Sequence, residues 1–312
     1  MAELSFCIVG PGALGTLFAA RLASAGYAVQ LVGRRREVVD LLNSQLITYE
    51  VDGVSDDVKI RSCLIEDVNP ADIVVMFTKA QDMLAAAEAA YEQMPNAHYL
   101  TLQNGLGHGQ SLASLVGEAS VSYGVTMVPA DLREPGNVET HGPARTWIGS
   151  MFDAGAEMTE AICVALNVSG FLVDHVDDPE VRVWNKAGFN VSMNGLCALC
   201  DGSPGLLHSY PDGQLFAHEI ADEVIALADA EGVVIDAEAV HALIDNACVN
   251  HTYHKPSMVQ DLERNVLTEI EALNGYIISR AKQIGLPVPK TEMIYRLIKI
   301  RERAPAFWAE RR

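Results

Sequence analysis

A segment near the middle of the chain repeats polar side chains at a spacing of four residues. Lys186, Asn190 and Asn194 fall at i, i+4 and i+8, so a helix places all three on one face. The surrounding positions, such as Trp184 and Val191, are mostly apolar and carry no other charge. This pattern favours a polar face buried around a cleft over the alternative, a solvated outer stripe. A lysine in such a cleft can donate a proton or anchor an anion.

Carboxylates that could act with this lysine follow Lys255-Pro-Ser257 in the sequence. They include Glu263, Glu269 and Glu271, with Asp261 in the same stretch. Their spacing alone does not single out one of them, so the functional carboxylate stays open at this level.

A glycine turn stands close to the start of the chain. Gly10-Pro11-Gly12-Ala13-Leu14-Gly15 follows a short apolar run and precedes apolar residues at helical spacing. In such a motif the first glycine permits the tight turn, and the second lets the backbone approach a pyrophosphate. The third lets the helix pack closely on the sheet. The turn therefore predicts dinucleotide binding, and a glycine turn without a ligand is the alternative.

Three arginines follow the second predicted strand. NAD-specific folds usually carry an acidic residue at this point, but Arg34, Arg35 and Arg36 stand here instead. Because guanidinium groups match phosphate oxygens, the cluster predicts a clamp for a 2′-phosphate and favours NADPH/NADP+ over NAD(H). Arg34 is nearest the strand end and is the preferred candidate. A solvated basic start of a helix is the alternative interpretation, and it is open for one or two of the three arginines.

Two further polar residues follow predicted buried strands. Lys79 comes after Ile73–Phe77, and Asn104 comes after His98–Leu102. Ligands of open α/β sheets bind at the carboxyl ends of such strands, so both residues are expected near the nicotinamide end of a cofactor.

The first half of the chain predicts a Rossmann-type, doubly wound α/β sheet. Strands at Leu4–Val9 and Ala28–Val32 flank the glycine turn and its helix, and an alanine-rich helix is predicted over Gln81–Gln93. Extended segments at Val121–Val128 and Asn137–Gly149 are expected to complete the same sheet as antiparallel strands.

The second half predicts an all-helical domain. Helical patterns cover Glu180–Cys200, Asp212–Glu231, Ala237–Cys248 and Ser257–Gly285, and Ile298–Arg312 is interpreted as a mixed-charge end. Charge and proline interrupt the pattern at Asp174–Pro179. The predicted domains are therefore residues 1–176, which bind the cofactor, and 177–312, which bind the substrate and carry the catalytic group.

Composition excludes several classes of function. The 312 residues carry a net charge of −19, which repels nucleic acids and anionic membranes. No apolar run approaches the roughly 18 residues that span a bilayer, and the start lacks the basic region of a signal peptide. We expect a soluble, cytoplasmic protein.

The spacing of the cysteines and of the paired histidines does not indicate a metal site. Six cysteines lie among apolar neighbours, as reduced buried thiols do. Cys197 and Cys200 have suggestive spacing but no second ligand pair, and His251 and His254 lack the glutamate of a metalloprotease helix. No metal site is predicted.

These motifs together resemble the ketopantoate reductase (2-dehydropantoate 2-reductase) family over nearly the whole chain. They stand in that family's order: Gly10–Gly15, Thr78-Lys79-Ala80, Gln103-Asn-Gly-Leu-Gly107, Trp184-Asn-Lys186 with Asn190 and Asn194, Lys255-Pro-Ser-Met-x-x-Asp261, and Thr268-Glu-Ile270 with Asn274-Gly275.

The resemblance implies roles for individual residues. Lys186 would be the proton donor, and Glu269 would orient substrate and cofactor near the reacting carbon. The substrate would be bound by Asn104, Lys186, Asn190, Asn194 and Ser257. The cofactor would be bound by Gly10–Gly15, Arg34, Lys79, Asn104, Ala130 and Glu269.

The resemblance implies reduction of a small 2-oxo acid, most simply 2-dehydropantoate to pantoate. The predicted helical domain could supply the surface of a homodimer. Departures on the substrate side, such as His254 and Pro204-Gly205, leave other acceptors open. The alternatives are another 2-oxo acid, an imine or opine-type substrate, and a non-catalytic NADP(H) sensor.

Overall fold

A computed structural model describes residues 4–151, 155–250 and 252–309. The chain forms two compact units. The first runs to Gln103 and resumes over Gly107–Pro179, and the second comprises Asn104–Leu106 and the chain from Glu180 onward. The sequence predicted this division after residue 176.

The first unit combines strands and helices. Its helices are α1 (Ala13–Ser24), α2 (Arg36–Ser44), α3 (Met83–Gln93), α4 (His108–Val116) and α5 (Ala156–Val168). Its strands are β1 (Ser5–Val9), β2 (Ala28–Val32), β3 (Ile47–Val51), β4 (Val54–Val58), β5 (Arg61–Cys63), β6 (Ile73–Met76), β7 (His98–Thr101), β8 (Val121–Thr126), β9 (Asp131–Glu134), β10 (Asn137–Thr140), β11 (Arg145–Ser150) and β12 (Leu172–His175).

The main sheet has the strand order β12-β11-β8-β7-β6-β1-β2-β5. Every pair in it is parallel except β8 with β11. Strand β6 is buried along its whole length, as expected of a parallel sheet covered on both faces. The predicted Rossmann-type fold is confirmed.

The prediction for the end of this sheet is wrong in part. β8 is parallel to β7, and the antiparallel strands are β11, which pairs with β8, and β12, which is parallel to β11. β10 belongs instead to a separate four-stranded sheet in the order β4-β3-β10-β9. There Val138 pairs with Tyr49 and is fully buried. Alternation in the sequence shows which face of a strand is buried, but it does not identify the partner strand.

The described part of the second unit is helical. Its elements are α6 (Pro179–Cys200), α7 (Pro204–His208), α8 (Pro211–Ala230), α9 (Ala237–Asn250), α10 (Ser257–Glu263), a π-helical turn (Glu271–Gly275), α11 (Tyr276–Ile284) and α12 (Pro289–Ala309). Trp184 and Val191 of α6 lie at the centre of its apolar core. The predicted helical domain is confirmed.

One prediction within this unit is wrong. The helix expected over Ser257–Gly285 is interrupted, because Asn265 adopts a left-handed conformation (φ 54°) that ends α10. The segment interpreted as a mixed-charge end continues α12 as far as Ala309, with Ile298 buried in the core, and residues 310–312 lie outside the described part of the chain.

The six cysteines are all free thiols. Five of them are buried, as predicted. Cys200 at the end of α6 is exposed, so the prediction of a buried thiol is wrong for this residue. Burial raises the pKa of Cys7 and Cys197 to about 12. None of the described helices combines the length and apolar character needed to cross a membrane.

Candidate active site

The glycine turn is fixed by its neighbours within the first unit. Gly10 has a φ of 114°, and a Cβ there would lie 2.7 Å from the carbonyl of Phe77. A Cβ on Gly15 would lie 1.9 Å from the Gly10 carbonyl oxygen. Both positions therefore exclude any side chain. The two glycines allow β1, the start of α1 and the end of β6 to approach closely.

Gly12 has the opposite environment. A Cβ built there meets no atom within 4 Å, so the backbone at the start of α1 faces open space. The helix has no side-chain cap at Gly12 and no acidic residue in its first turn. Its positive end and the amides of Ala13 and Leu14 therefore fit a pyrophosphate. This turn, with Pro11 within it, can hold a dinucleotide.

The arginine cluster lies after β2, as predicted, but a carboxylate lies beside it. The Arg34 side chain is 79% exposed, and its guanidinium is 3.2 Å from Asp82. Arg36 pairs with Asp67 at 3.6 Å. The end of β2 itself carries arginines, as the sequence shows, and the two carboxylates come from other segments of the chain. Asp82 follows β6, which is only one strand removed from β2.

The ends of β6 and β7 are joined by a contact that the residue types alone did not indicate. The Gln103 amide donates hydrogen bonds to Thr78 O at 2.6 Å and to Thr78 Oγ1 at 3.1 Å. Lys79 follows Thr78 directly and is partly buried. Both partners occur in the family motifs, so that resemblance contained the only signal for this contact.

Ala130 lies in the extended connection after β8 and is partly buried. Thr140 Oγ1 donates to the carbonyl oxygen of Pro129 at 2.6 Å, which fixes this connection on the small sheet. Asn104 belongs to the short segment 104–106 of the second unit and is also partly buried.

The polar face of α6 is buried. Asn190 and Asn194 are 6% and 7% exposed, and Lys186 is partly buried. These values disagree with a solvated outer stripe. Amides and an amine withdrawn from water need polar partners, and the polar groups of a bound ligand can serve as such partners.

Lys186 and Glu269 interact electrostatically within the second unit. Burial lowers the pKa of Lys186 to about 8, and the negative charge of Glu269 opposes this shift. The amine is therefore mostly protonated at neutral pH but holds its proton more weakly than a solvated lysine. Such a group can act as a general acid.

The other two candidate carboxylates have different partners. Glu263 forms an ion pair with Lys255. Glu271 accepts a hydrogen bond from Tyr295 at 2.9 Å and lies 3.0 Å from Lys299. Of the three glutamates, Glu269 is the one whose charge acts on Lys186.

Ser257 is the first residue of α10, and its side chain is exposed. His254, three residues earlier, is also exposed. The structure therefore brings Lys186 and Glu269 together in the second unit, whereas the glycine turn, Arg34 and Lys79 belong to the first.

A Rossmann-type unit with an open glycine turn, and a helical unit with a coupled lysine and glutamate, define a nucleotide-dependent oxidoreductase. The C-terminal ketopantoate reductase (PanE/ApbA) domain matches residues 180–302, and the N-terminal domain matches residues 6–152. The chain belongs to the ketopantoate reductase family, whose members act as oxidoreductases on a CH–OH group.

Curated relatives agree with this assignment. The chain is 31% identical over 300 residues to a 2-dehydropantoate 2-reductase of Halobacterium salinarum, covering 95% of this chain and 98% of the relative. It is 28% identical over 302 residues to a 2-dehydropantoate 2-reductase of Streptococcus pyogenes serotype M3, covering 95% and 97%.

Solved structures show the same fold over almost the full length. A ternary structure of D-mandelate dehydrogenase with NADH and anilino(oxo)acetate has a TM-score of 0.92 at 26% identity, covering 96% of this chain and 99% of that one. A PanE/ApbA family ketopantoate reductase from Ralstonia eutropha JMP134 has a TM-score of 0.89 at 27% identity, with the same coverage.

Proposed function

We propose that the protein is an NADPH-dependent reductase that converts 2-dehydropantoate to pantoate. The observation that carries this proposal is the coupled pair of Lys186 and Glu269 beside the buried amides of Asn190 and Asn194. An amine that is protonated at neutral pH and set among amides suits a substrate with a carboxylate and a carbonyl oxygen.

The residues of the first unit would hold the cofactor. The amides of the glycine turn bind the pyrophosphate, and Arg34 binds the 2′-phosphate. Lys79 and Ala130 of this unit would contact the nicotinamide end, together with Asn104 of the second unit. When bound, the dihydronicotinamide supplies a hydride to the ketone carbon.

The residues of the second unit would act on the substrate. As the ketone oxygen gains charge, the Lys186 ammonium stabilises it and donates a proton from Nζ. Glu269 keeps this amine protonated before the reaction and orients it. Asn190, Asn194 and Ser257 bind the substrate's polar groups and fix the carbonyl near the amine.

A second candidate follows from the similarity to D-mandelate dehydrogenase. That protein is solved with NADH and anilino(oxo)acetate, an aromatic 2-oxo acid derivative. The corresponding proposal for this chain is an NADH-dependent reductase of a bulkier 2-oxo acid. The ion pair of Arg34 with Asp82 supports this candidate, because a carboxylate near the end of β2 disfavours a 2′-phosphate.

Turnover measurements distinguish these proposals. Oxidation of NADPH and of NADH is followed with 2-dehydropantoate, phenylglyoxylate and 3-methyl-2-oxobutanoate, each with and without added amine. The first proposal requires the highest kcat/KM for 2-dehydropantoate with NADPH. A preference for phenylglyoxylate with NADH supports the second, and turnover only with amine supports an imine reductase. Cofactor binding without turnover of any substrate indicates a sensor.

We also propose a cytoplasmic homodimer. A dimeric ketopantoate reductase from Staphylococcus aureus shares the fold at a TM-score of 0.81 and 21% identity. Light scattering of the purified chain measures the mass directly and tests the dimer against a 33.7 kDa monomer.

A further inference from the structure

A buried carboxylate outside the predicted site lies next to the segment that carries Glu269. Glu302 is on α12, and its side chain is 3% exposed. Its Oε1 accepts hydrogen bonds from Thr268 N at 2.9 Å and from Thr268 Oγ1 at 2.7 Å. Because one ionised oxygen accepts from both donors of a single residue, it fixes the backbone and the rotamer of Thr268.

The charge of Glu302 is compensated. Lys299 Nζ lies 3.1 Å from its other oxygen and 3.0 Å from Glu271. Tyr295 also lies within the field of Glu302 and donates to Glu271. A buried carboxylate is costly without such partners, so the arrangement is ordered as a group. α12 thus holds the chain on both sides of Glu269, at Thr268 and at Glu271.

The backbone after Glu269 is fixed as well. Ile270 N donates to Thr268 Oγ1 at 3.2 Å, and Leu273 N donates to the Glu269 carbonyl oxygen at 3.1 Å. The backbone at Glu269 is therefore fixed by Thr268 before it and by the π-helical turn after it. The backbone conformation in turn sets the direction in which the Glu269 side chain leaves the chain.

We propose that Glu302 is a positioning residue for the reaction: through Thr268 it directs the Glu269 carboxylate toward Lys186. This inference rests on the proposed roles of Lys186 and Glu269. Glu302 touches neither substrate nor cofactor in this proposal, and its effect reaches the reaction only through Glu269.

The first test is Glu302→Ala in the full-length chain. We expect kcat/KM for the oxo acid to fall about 10- to 100-fold, the size of effect that misplacement by about an ångström produces. The alkaline limb of the kcat profile should move to lower pH, because a displaced Glu269 no longer supports the protonated Lys186. Glu302→Gln keeps an acceptor for Thr268 and should recover most of the activity.

Glu292→Ala is the matched control. Glu292 is also on α12, but it is more exposed and pairs with Arg296 four residues later at 2.8 Å. Its removal should change neither kcat/KM nor the pH profile. If Glu302→Ala lowers the melting temperature but leaves kcat and the alkaline limb of the folded enzyme unchanged, Glu302 is merely structural and the proposal is wrong.

A second pair of variants serves if Glu302→Ala does not fold. Thr268→Val removes the hydroxyl that donates to Glu302 and accepts from Ile270, while Thr268→Ser retains it. We expect the valine variant to show the same loss and the same alkaline shift, and the serine variant to behave nearly as wild type. Equal activity of the two overturns the proposal.

A double-mutant cycle separates this inference from the proposed function. Glu302→Ala should have little further effect in a Glu269→Gln background, because both changes remove the same interaction. Additive losses overturn the positioning role. If Glu269→Gln alone retains full activity and an unchanged pH profile, the proposed role of Glu269 is wrong, whatever Glu302 does.

Discussion

Asn274 in the π-helical turn donates a hydrogen bond to the carbonyl oxygen of Val191 in α6, at 3.3 Å. This bond ties the turn after Glu269 to the helix that carries Lys186. Asn274 is fully buried, and its Oδ1 has no hydrogen-bond partner within the described part of the chain. The side chain therefore has a free-energy cost that its one long bond does not offset. Side chains that lower folding stability in this way are common at sites where activity depends on the placement of a group.

Replacing Asn274 should separate stability from activity. Asn274→Leu removes the unpaired oxygen and retains the volume, so the free energy of unfolding should stay within about 1 kcal/mol of wild type or rise. The loss of the bond to Val191 should lower kcat/KM about tenfold or more, because Glu269 is less well fixed.

Thr291→Val is the control for that variant. Thr291 Oγ1 on α12 is likewise buried without a hydrogen-bond partner among the described residues. This change should be neutral or stabilising and leave kcat/KM unchanged. Thermal melts and steady-state rates measure both variants. Wild-type activity for Asn274→Leu would show that the tie to α6 has no catalytic consequence.

Gly12→Ala should abolish cofactor binding in a folded protein. A Cβ at Gly12 meets no atom of the described chain within 4 Å, so the variant should melt as wild type does. The methyl group would occupy the space where a pyrophosphate approaches, so cofactor affinity should fall strongly. Gly15→Ala is the contrasting variant and should fold poorly, because its Cβ would overlap the Gly10 carbonyl. Fluorescence titration with NADPH measures the affinity.

Arg34→Ala should reduce the preference for NADPH. Losing a charge-assisted phosphate contact costs about 1.5–3 kcal/mol, roughly ten- to a hundredfold in the ratio of kcat/KM for NADPH to that for NADH. Arg36→Ala serves as the control, because Arg36 is the first residue of α2 and lies farther along the chain from the end of β2 than Arg34 does. Equal use of both cofactors by the wild type would contradict the preference.

Lys186→Ala should lower kcat by about 10²–10⁴ with little change in NADPH affinity. In the wild type, kcat should fall as pH rises through about 8, because the amine with a pKa of about 8 must be protonated to donate. Rates between about pH 6 and 10 bracket this titration. A raised KM with normal kcat in the variant would make Lys186 an anion anchor instead.

His98 should make stability sensitive to acid. Its Nε2 lies 2.7 Å from Ser122 Oγ, which lies 2.6 Å from Thr159 Oγ1, and burial lowers its pKa from 6.5 to about 4. Between these two pH values the unfolded chain binds more protons than the folded one, so stability falls as pH falls. The loss for this group is about 2 kcal/mol at about pH 5.

His98→Gln tests this contribution, since the amide can occupy the same position without titrating. Urea unfolding at about pH 7 and about pH 5 should show a smaller pH dependence for the variant than for wild type. The same pH dependence in both proteins would mean that His98 is protonated in the folded state as readily as in the unfolded chain.

Local patterns in the sequence predict the elements that carry the site. The turn between β1 and α1 depends on residues within a few positions of one another, and the stripe of Lys186, Asn190 and Asn194 depends only on helical periodicity. These features follow from short-range geometry, which is why the sequence alone predicts them. The choice of Glu269 came from the family resemblance and stays a prediction of function.

Contacts between distant parts of the chain could not be derived in this way. Arg34 meets Asp82 across 48 residues, and Thr268 meets Glu302 across 34. Nothing in the spacing of these residues indicates a partner. The break after α10 was missed because a single asparagine, Asn265, adopts a left-handed conformation inside an otherwise helical pattern.

The single exposed thiol gives the native chain a reporter position. A maleimide fluorophore reacts with accessible thiolates, so it should attach at Cys200 and spare the five buried cysteines. One label per chain would then be placed at the end of the helix that also carries Lys186, without introducing any substitution. Ligand binding along that helix could be followed optically in the unaltered sequence.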